Sequence, residues 1–149
     1  MFSRIMVPID LVHRDTLRKA VDLACGMARD HKAELCFVSV SGELPSEIAK
    51  SSSEYGEKLQ EFADRKAEDY AISATALNLS SADPEAEVDR QLLSAIEQVG
   101  ADLVVMASHQ PGLMEYIFSS HGGYIAAHAK VSVFVVRSSS TRGLDLISL

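Results

Sequence analysis

Short, predominantly apolar runs alternate in this chain with segments whose apolar residues recur every three or four positions. Four such runs span residues 5–9, 33–40, 103–106 and 131–136, and polar or turn-forming residues bound each of them. Short apolar runs of this kind are typical of buried strands, and strands that alternate with helices form parallel β-α-β units. A further strand is predicted over residues 72–79. The pattern therefore predicts an α/β fold, a parallel sheet of five strands with helices on both faces.

Three longer segments carry the helical pattern. Amphipathic helices are predicted over residues 15–31 and 55–70, where apolar residues recur at helical spacing. The third helix is predicted to begin with Asp83 as its N-cap and Pro84 at the first helical position. Gly100 is predicted to end it, because glycine readily adopts the left-handed conformation of a helix C-cap.

Segments without a regular pattern divide the rest of the chain. Residues 41–53 contain glycine, proline and three successive serines, and they are predicted to form a loop, either a plain connector or a mobile flap over a site. Residues 138–143 have the composition of a flexible linker, and residues 144–149 form a short apolar tail. The chain is therefore predicted to contain one domain, residues 1–137, followed by a flexible C-terminal tail, residues 138–149.

The charge of the chain limits its partners. Across 149 residues the formal net charge is −7, with 23% charged and 47% hydrophobic residues. Nucleic acids and anionic membranes require a basic surface, so neither is expected as a partner. No apolar run approaches the length of a membrane span, and the amino terminus lacks the pattern of a secretion signal. We expect a cytoplasmic protein.

The sequence gives little support for catalysis or for a metal site. Cys25 and Cys36 lack Cys-x-x-Cys spacing and are predicted to be small buried residues. The histidines show no metal-ligand spacing, and no nucleophile elbow, paired-carboxylate motif or phosphate-binding P-loop is present. Asp10 follows the first strand alone, without the clustered acids of a phosphoacceptor domain. It is predicted either to cap the loop or to contact a ligand, and no catalytic or metal-ligating residue is predicted.

Three segments, in order, resemble the universal stress protein family. The first is Ile-Met-Val-Pro-Ile-Asp at residues 5–10, in which Pro8 is expected to end the strand because it has no N–H to donate. The second is Gly-Ala-Asp-Leu-Val-Val-Met at residues 100–106. The third is Ala-Ser-His-Gln-Pro at residues 107–111, followed by a serine pair and by residues 128–136. This last segment is similar to the family's subgroup with an Ala-Ser-His-x-Pro loop.

The resemblance implies a fold, a ligand and a site. The implied fold is Rossmann-like, with strand order 3-2-1-4-5, as in the adenine-nucleotide alpha-hydrolases. The implied ligand is ATP or AMP, with or without Mg²⁺, bound between strands 1 and 4 and in contact with the loop of residues 108–120. The implied binding residues are Pro8, Ile9, Asp10, Val40, Met106, Ala107, Ser108, His109, Gln110, Ser119 and Ser120.

The glycines of the family's nucleotide motif are replaced at every position in this chain. Ala107, Gln110 and Ser119 stand where the family has glycine. Glycine lets backbone N–H groups approach phosphates closely, and Gln110 or Ser119 would cost roughly 1 kcal/mol or more at positive φ. No lysine or arginine lies between Arg90 and Lys130 to balance the phosphate charge. The serine pair can instead cap the following helix, whose first N–H groups form an anion site.

Three functional hypotheses remain open on these residues. The first is a stress-response protein that binds an adenine nucleotide and acts as a dimeric regulator or adaptor toward an unknown protein partner. The second is a family member that has lost nucleotide binding and acts only through protein contacts. The third is a slow ATPase or autophosphorylating enzyme that uses Ser119 or Ser120. The homodimer is expected to form through the last strand (Val131, Val133, Val135), because an apolar edge strand is normally covered.

Overall fold

The computed structural model describes residues 1–15, 17–107 and 123–137. The predicted loop at residues 108–120 and the predicted tail at residues 138–149 lie outside the described residues. In chain order the described elements are β1 (Arg4–Pro8), a short 3-10 helix (Leu11–His13), α1 (Arg18–His31), β2 (Glu34–Gly42), α2 (Ser52–Tyr70), β3 (Ser73–Ser81), α3 (Pro84–Val99), β4 (Leu103–Ala107), a helical stretch at residues 123–128 and β5 (Ser132–Val136).

The strands form one parallel sheet of five strands in the order β3-β2-β1-β4-β5. β1 lies at its centre, where Ile5 is in register with Leu35 of β2 on one side and with Leu103 of β4 on the other. The order reverses between β1 and β4, since the chain moves outward to β3 before it returns to the other side. The predicted fold class and strand order are confirmed.

The sheet separates two apolar layers. Successive side chains of a strand point to opposite faces, and β1 shows this directly. Ile5 and Val7 belong to the layer beneath α1 and α2, whereas Met6 belongs to the layer beneath α3 and the helical stretch at residues 123–128. All three of these β1 side chains are buried. Helices therefore cover both faces, as the continuous apolar strands predicted.

The helix ends follow local chemistry. The side chain of Ser51 accepts a hydrogen bond from the N–H of Glu54 and caps α2. α3 begins at Pro84 and is followed by Gly100 at φ +70°, in agreement with both predicted boundaries. α1 and α2 are each followed by a non-glycine residue in the left-handed conformation, Lys32 and Ala71.

β2 and β3 are each two residues longer than predicted at their carboxyl ends. The pairing continues to Gly42 opposite Ser81, through residues that the sequence pattern assigns to turns. The Ser41 hydroxyl donates to Asn78 Oδ1 at 3.0 Å and lies 3.0 Å from the Ser52 hydroxyl. Polar side chains that normally favour turns here bond to one another across the strands, and the ladder continues.

The amino ends of the strands are held by exposed charges. Arg4 donates two hydrogen bonds to Glu34 Oε2, at 3.0 and 2.7 Å, and a third to the Val99 carbonyl at 2.9 Å. The Asp102 carboxylate accepts the N–H groups of Ser3 and Arg4 at 2.8 and 3.0 Å. Although partial desolvation acts in the opposite direction, these amide hydrogen bonds hold the pKa of Asp102 below its ordinary value.

Among the described helices, none is both long enough and apolar enough to span a membrane.

Candidate functional site

A cavity of about 280 Å³ lies at the carboxyl ends of β1, β2 and β4, where the strand order reverses. In open α/β sheets this crevice is the usual ligand site. Its floor is formed by strand-end residues: Pro8, Ile9, Asp10, Val38, Val40 and Met106. One face of α3, from its first residue to its middle, contributes a wall through Pro84, Val88 and Leu92. The position of the cavity follows from the fold, and its lining follows from the residues that end each strand.

Of the eleven residues predicted to bind the nucleotide, the structure brings five together in this cavity: Pro8, Ile9, Asp10, Val40 and Met106. Ala107 is the last residue of β4, directly after Met106, and it is buried rather than part of the lining. The other predicted binding residues (Ser108, His109, Gln110, Ser119, Ser120) lie outside the described residues. Nucleotide contact by any of the eleven residues stays a prediction.

Asp10 caps the short 3-10 helix that follows β1. One carboxylate oxygen accepts the N–H of Val12 at 3.0 Å, and the other lies 3.2 Å from Nδ1 of His13. Asp10 also lines the cavity. The two roles proposed for it from sequence are therefore compatible, because a carboxylate that is held by its own loop still presents negative charge to the cavity.

Tyr55 is a cavity residue that the sequence analysis missed. Its hydroxyl accepts the N–H of Leu11 at 3.0 Å and lies 3.4 Å from the Ser39 hydroxyl, which donates to the Ile9 carbonyl at 2.6 Å. Tyr55 is only 7% exposed, and burial raises the pKa of its hydroxyl, so the network is neutral. This network fixes the chain that joins β1 to the 3-10 helix. A tyrosine on the apolar face of a helix signals the need for a buried hydrogen-bond partner, and that signal could have identified it.

The segment between β2 and α2, residues 43–51, forms the outer wall of the cavity. Leu44, Ser46 and Ala49 line it. The segment folds on itself through a hydrogen bond from the Ser46 N–H to the Ala49 carbonyl at 2.8 Å. Lys58 of α2 donates to the Ile48 carbonyl, which ties the segment to the helix. The segment therefore contributes to the lining of the cavity while it is bonded to α2, and its mobility as a flap stays a prediction.

The chemistry of the cavity is mainly apolar. Asp10 is the one carboxylate, lysine, arginine or histidine among the described residues that line it. Serine hydroxyls and strand-end backbone groups supply the remaining polarity. Small-molecule sites are commonly apolar clefts with a few polar groups that fix orientation, and this volume is near their lower limit. The arrangement suits a flat, weakly polar ring held between aliphatic side chains.

Metal-ligating and thiol side chains are not clustered in the described part of the chain. No group of three or more His, Cys, Asp and Glu side chains there could hold a metal ion. Cys25 and Cys36 are free and buried, as predicted. Burial raises the pKa of the Cys25 thiol to about 11 and raises that of Cys36 as well, so both thiols are protonated near neutral pH.

β5, which pairs with β4, presents apolar side chains at one edge of the sheet. Val131, Val133 and Val135 are half-buried, and Phe134 is 44% exposed. The opposite edge strand, β3, is rich in serine and also carries a threonine and an asparagine. An edge with exposed apolar side chains is a surface that proteins normally cover.

Comparison with known proteins agrees with the fold described above. Residues 1–137 of this chain match the sequence model of the universal stress protein family. A universal stress family protein from Burkholderia pseudomallei has a similar structure, with 23% identity over 90% of this chain and 95% of that one and a TM-score of 0.65. A universal stress protein in complex with cAMP is 22% identical over 93% and 98% of the two chains, with a TM-score of 0.66. An Arabidopsis thaliana family protein with AMP bound is 14% identical over 94% of each chain, also at 0.66.

Proposed function

The chain belongs to the universal stress protein family, and from that premise we propose that it binds an adenine nucleotide, ATP or AMP, between β1 and β4 and acts as a dimeric regulator. Within the family we assign it to the subgroup with the Ala-Ser-His-x-Pro loop, on the sequence of residues 107–111. Ligand binding rather than catalysis is the proposed activity, with slow hydrolysis or autophosphorylation as a result that would revise it.

One observation carries the proposal. Residues from three strand ends, among them Pro8, Val40 and Met106, converge on one apolar cavity at the point where the strand order reverses. An adenine ring is flat and weakly polar, so the aliphatic side chains can hold its faces while strand-end backbone groups bond to its edge. The cavity is small enough that we expect the base and part of the ribose to fill it. The phosphates would then lie outside the cavity, and the family resemblance implies that Ser119 and Ser120 contact them.

The relatives support an adenine ligand and leave its phosphate content open. Structurally similar family proteins are known with cAMP and with AMP. In this chain the described cavity lining contains no lysine, arginine or histidine, and the sequence has no lysine or arginine between Arg90 and Lys130. Each additional phosphate adds charge that this surface does not balance. We therefore propose that AMP binds at least as tightly as ATP and that Mg²⁺ is not required.

A cavity-filling substitution tests the binding site. Val40→Phe places a ring where the adenine is expected, so AMP affinity measured by calorimetry should fall roughly tenfold or more. The matched control is Val99→Phe, the same change at the last residue of α3 and outside the cavity lining, and it should leave AMP affinity unchanged. Equal AMP affinity in wild type and Val40→Phe would place the ligand elsewhere.

The second candidate, a family member that acts only through protein contacts, is favoured by the replaced glycines at Ala107, Gln110 and Ser119. It makes a separate prediction for the purified wild-type protein. Neither ATP nor AMP would be released on heat denaturation, and millimolar nucleotide would not shift the melting temperature. That combined result would replace nucleotide binding with protein binding as the proposed function.

The proposed dimer uses the apolar edge of the sheet. Val135→Lys introduces a charge into β5, and light scattering should show monomer or aggregate in place of dimer. Ser73→Lys introduces the same charge into the polar edge strand β3, and this control should remain dimeric. A dimer that persists in Val135→Lys would rule out the edge of β5 as the interface.

A further inference from the structure

A second concave site lies between the start of α1 and the middle of α2. Its volume is about 190 Å³, and its lining includes Arg14, Asp15, Arg18, Phe62, Arg65 and Lys66. We refer to this group as the basic cleft. None of these residues lines the cavity at the strand ends. Two separate elements, the chain around α1 and the helix α2, bring the four basic side chains together.

The charge of the basic cleft is opposite to that of the molecule. Four of the chain's 14 lysines and arginines line it, against one of its 21 aspartates and glutamates. A protein with a net charge of −7 gains nothing in general solubility from concentrating cations in one place. A cluster of like charges is also unfavourable unless an anion balances it.

Three of the four cations have no ion-pair partner among the described residues. Within residues 1–15, 17–107 and 123–137, none of Arg14, Arg18 and Arg65 forms an ion pair or a side-chain hydrogen bond. The Lys66 ammonium lies 5.5 Å from the centre of the Phe62 ring, which orients it without neutralising it.

Two acids on the adjoining helices each accept a hydrogen bond from another residue. Asp22 of α1 accepts the hydroxyl of Tyr70 at 2.9 Å, and Asp64 of α2 accepts the side-chain amide of Gln60 at 2.9 Å. Asp15 is the single acid among the lining residues. The basic cleft thus keeps an excess of positive charge on its lining.

From this arrangement we infer that the basic cleft binds a phosphate group. A guanidinium presents a planar set of N–H donors that matches two oxygens of a phosphate at once, and three guanidiniums converge here. The small volume fits one tetrahedral oxyanion rather than a whole nucleotide. The phosphate could be free in solution or could be carried by a phosphorylated side chain of another protein, since both present the same oxygens.

Titration with inorganic phosphate and with pyrophosphate tests the site, followed through backbone amide shifts in the full chain. Binding should shift the resonances of residues 14, 15, 18 and 62–66, and it should weaken between about 20 mM and about 200 mM salt because the cations are exposed. In the double variant Arg18→Gln/Arg65→Gln the affinity should fall roughly tenfold or more. The control Lys32→Gln/Lys130→Gln removes the same net charge elsewhere and should bind as wild type does.

A short phosphoserine peptide and its unphosphorylated counterpart distinguish the two sources of phosphate. Tighter binding of the phosphopeptide than of inorganic phosphate, lost in Arg18→Gln/Arg65→Gln, would identify a phosphorylated protein as the ligand. Equal or weaker binding of the phosphopeptide would identify a free phosphate. Equal phosphate affinity in wild type and in Arg18→Gln/Arg65→Gln would overturn the inference.

Discussion

The two ends of the sheet are held by different chemistry. At the amino end, Arg4, Glu34 and Asp102 form charged hydrogen bonds at the surface, and the side chains of Arg4 and Glu34 are about half exposed at 45% and 55%. At the carboxyl end, Tyr55 and Ser39 hold the backbone of Ile9 and Leu11 through neutral hydrogen bonds that are buried.

This difference follows from the surroundings of each end, which are water at the amino end and a mainly apolar cavity at the carboxyl end. Charges at the amino end remain in contact with water, so their desolvation costs little and their attraction is also modest. The carboxyl end borders a mainly apolar cavity, where a buried charge would be poorly solvated, and the one charged side chain among the described lining residues, Asp10, is partly exposed to water. Apart from Asp10, the neutral hydroxyls of Tyr55 and Ser39 hold the backbone at that end without adding charge. Substitutions at the two ends should therefore have separable effects on stability and on binding.

The largest expected effect on stability comes from Tyr55→Phe. The substitution leaves the buried N–H of Leu11 without an acceptor, so the free energy of unfolding should fall by about 1–2 kcal/mol, measured by urea denaturation. Nucleotide affinity should also fall, because the loop that carries Asp10 loses its anchor. Tyr70→Phe is the matched control, since its hydroxyl bonds to Asp22 at the surface and its loss should cost less. Equal losses of unfolding free energy in the two variants would show that the buried hydrogen bonds of Tyr55 stabilise the fold no more than the exposed one of Tyr70.

A smaller effect, limited to stability, is expected from Asp102→Asn. The amide keeps one acceptor oxygen but loses the charge, so the free energy of unfolding should fall by about 1 kcal/mol near neutral pH. Because the folded pKa of Asp102 is lowered, its contribution is complete above the unfolded value of about 4 and is lost as the pH falls through the folded value. The difference between wild type and Asp102→Asn should therefore shrink in acid.

Asp30→Asn removes the same charge from an exposed position and is the control for this experiment. It should change the free energy of unfolding little at any pH. AMP affinity should be unaffected in both aspartate variants, and a loss of affinity in Asp102→Asn would contradict the separation of the two ends.

The smallest expected effect on stability comes from Leu44→Ser at the mouth of the cavity. Leu44 is 82% exposed although it lines the cavity, so the change in the free energy of unfolding should stay within about 0.5 kcal/mol. AMP affinity should fall about threefold if the side chain covers the bound base. Leu23→Ser changes another exposed leucine, on α1, and should alter neither quantity beyond these limits. An unchanged affinity in Leu44→Ser would show that the loop of residues 43–51 does not contact the ligand.

Local sequence signals predicted the elements of the fold and much of their placement. Pro8 ends β1, Pro84 begins α3 and Gly100 follows its last residue, each for a reason contained in that residue's own backbone chemistry. The residues of the cavity floor could also be predicted from the sequence, because residues that follow buried strands must meet at one edge of a parallel sheet.

Contacts between segments that are distant in sequence could not be predicted in this way. The Tyr55 hydroxyl accepts a hydrogen bond from the N–H of Leu11, which lies 44 positions earlier in the sequence. No local pattern in either segment predicts that the two residues meet. The continuation of β2 through Ser41 depends on Asn78 of the next strand, whereas serine and glycine alone favour a turn. The basic cleft likewise combines arginines from the chain around α1 and from α2, whose proximity appears only when both helices pack on the same face of the sheet.

The central position of β1 also bears on how the chain is synthesised. The ribosome delivers β2 one helix after β1, but β4, the neighbour on the other side, begins only at Leu103. Through that interval the nascent half-sheet has an unpaired edge at β1 and exposes Met6 and Val38, which α3 later covers. Unpaired edges and bare apolar faces recruit other chains. The half-sheet therefore keeps an edge to which another strand can pair until β4 has been synthesised.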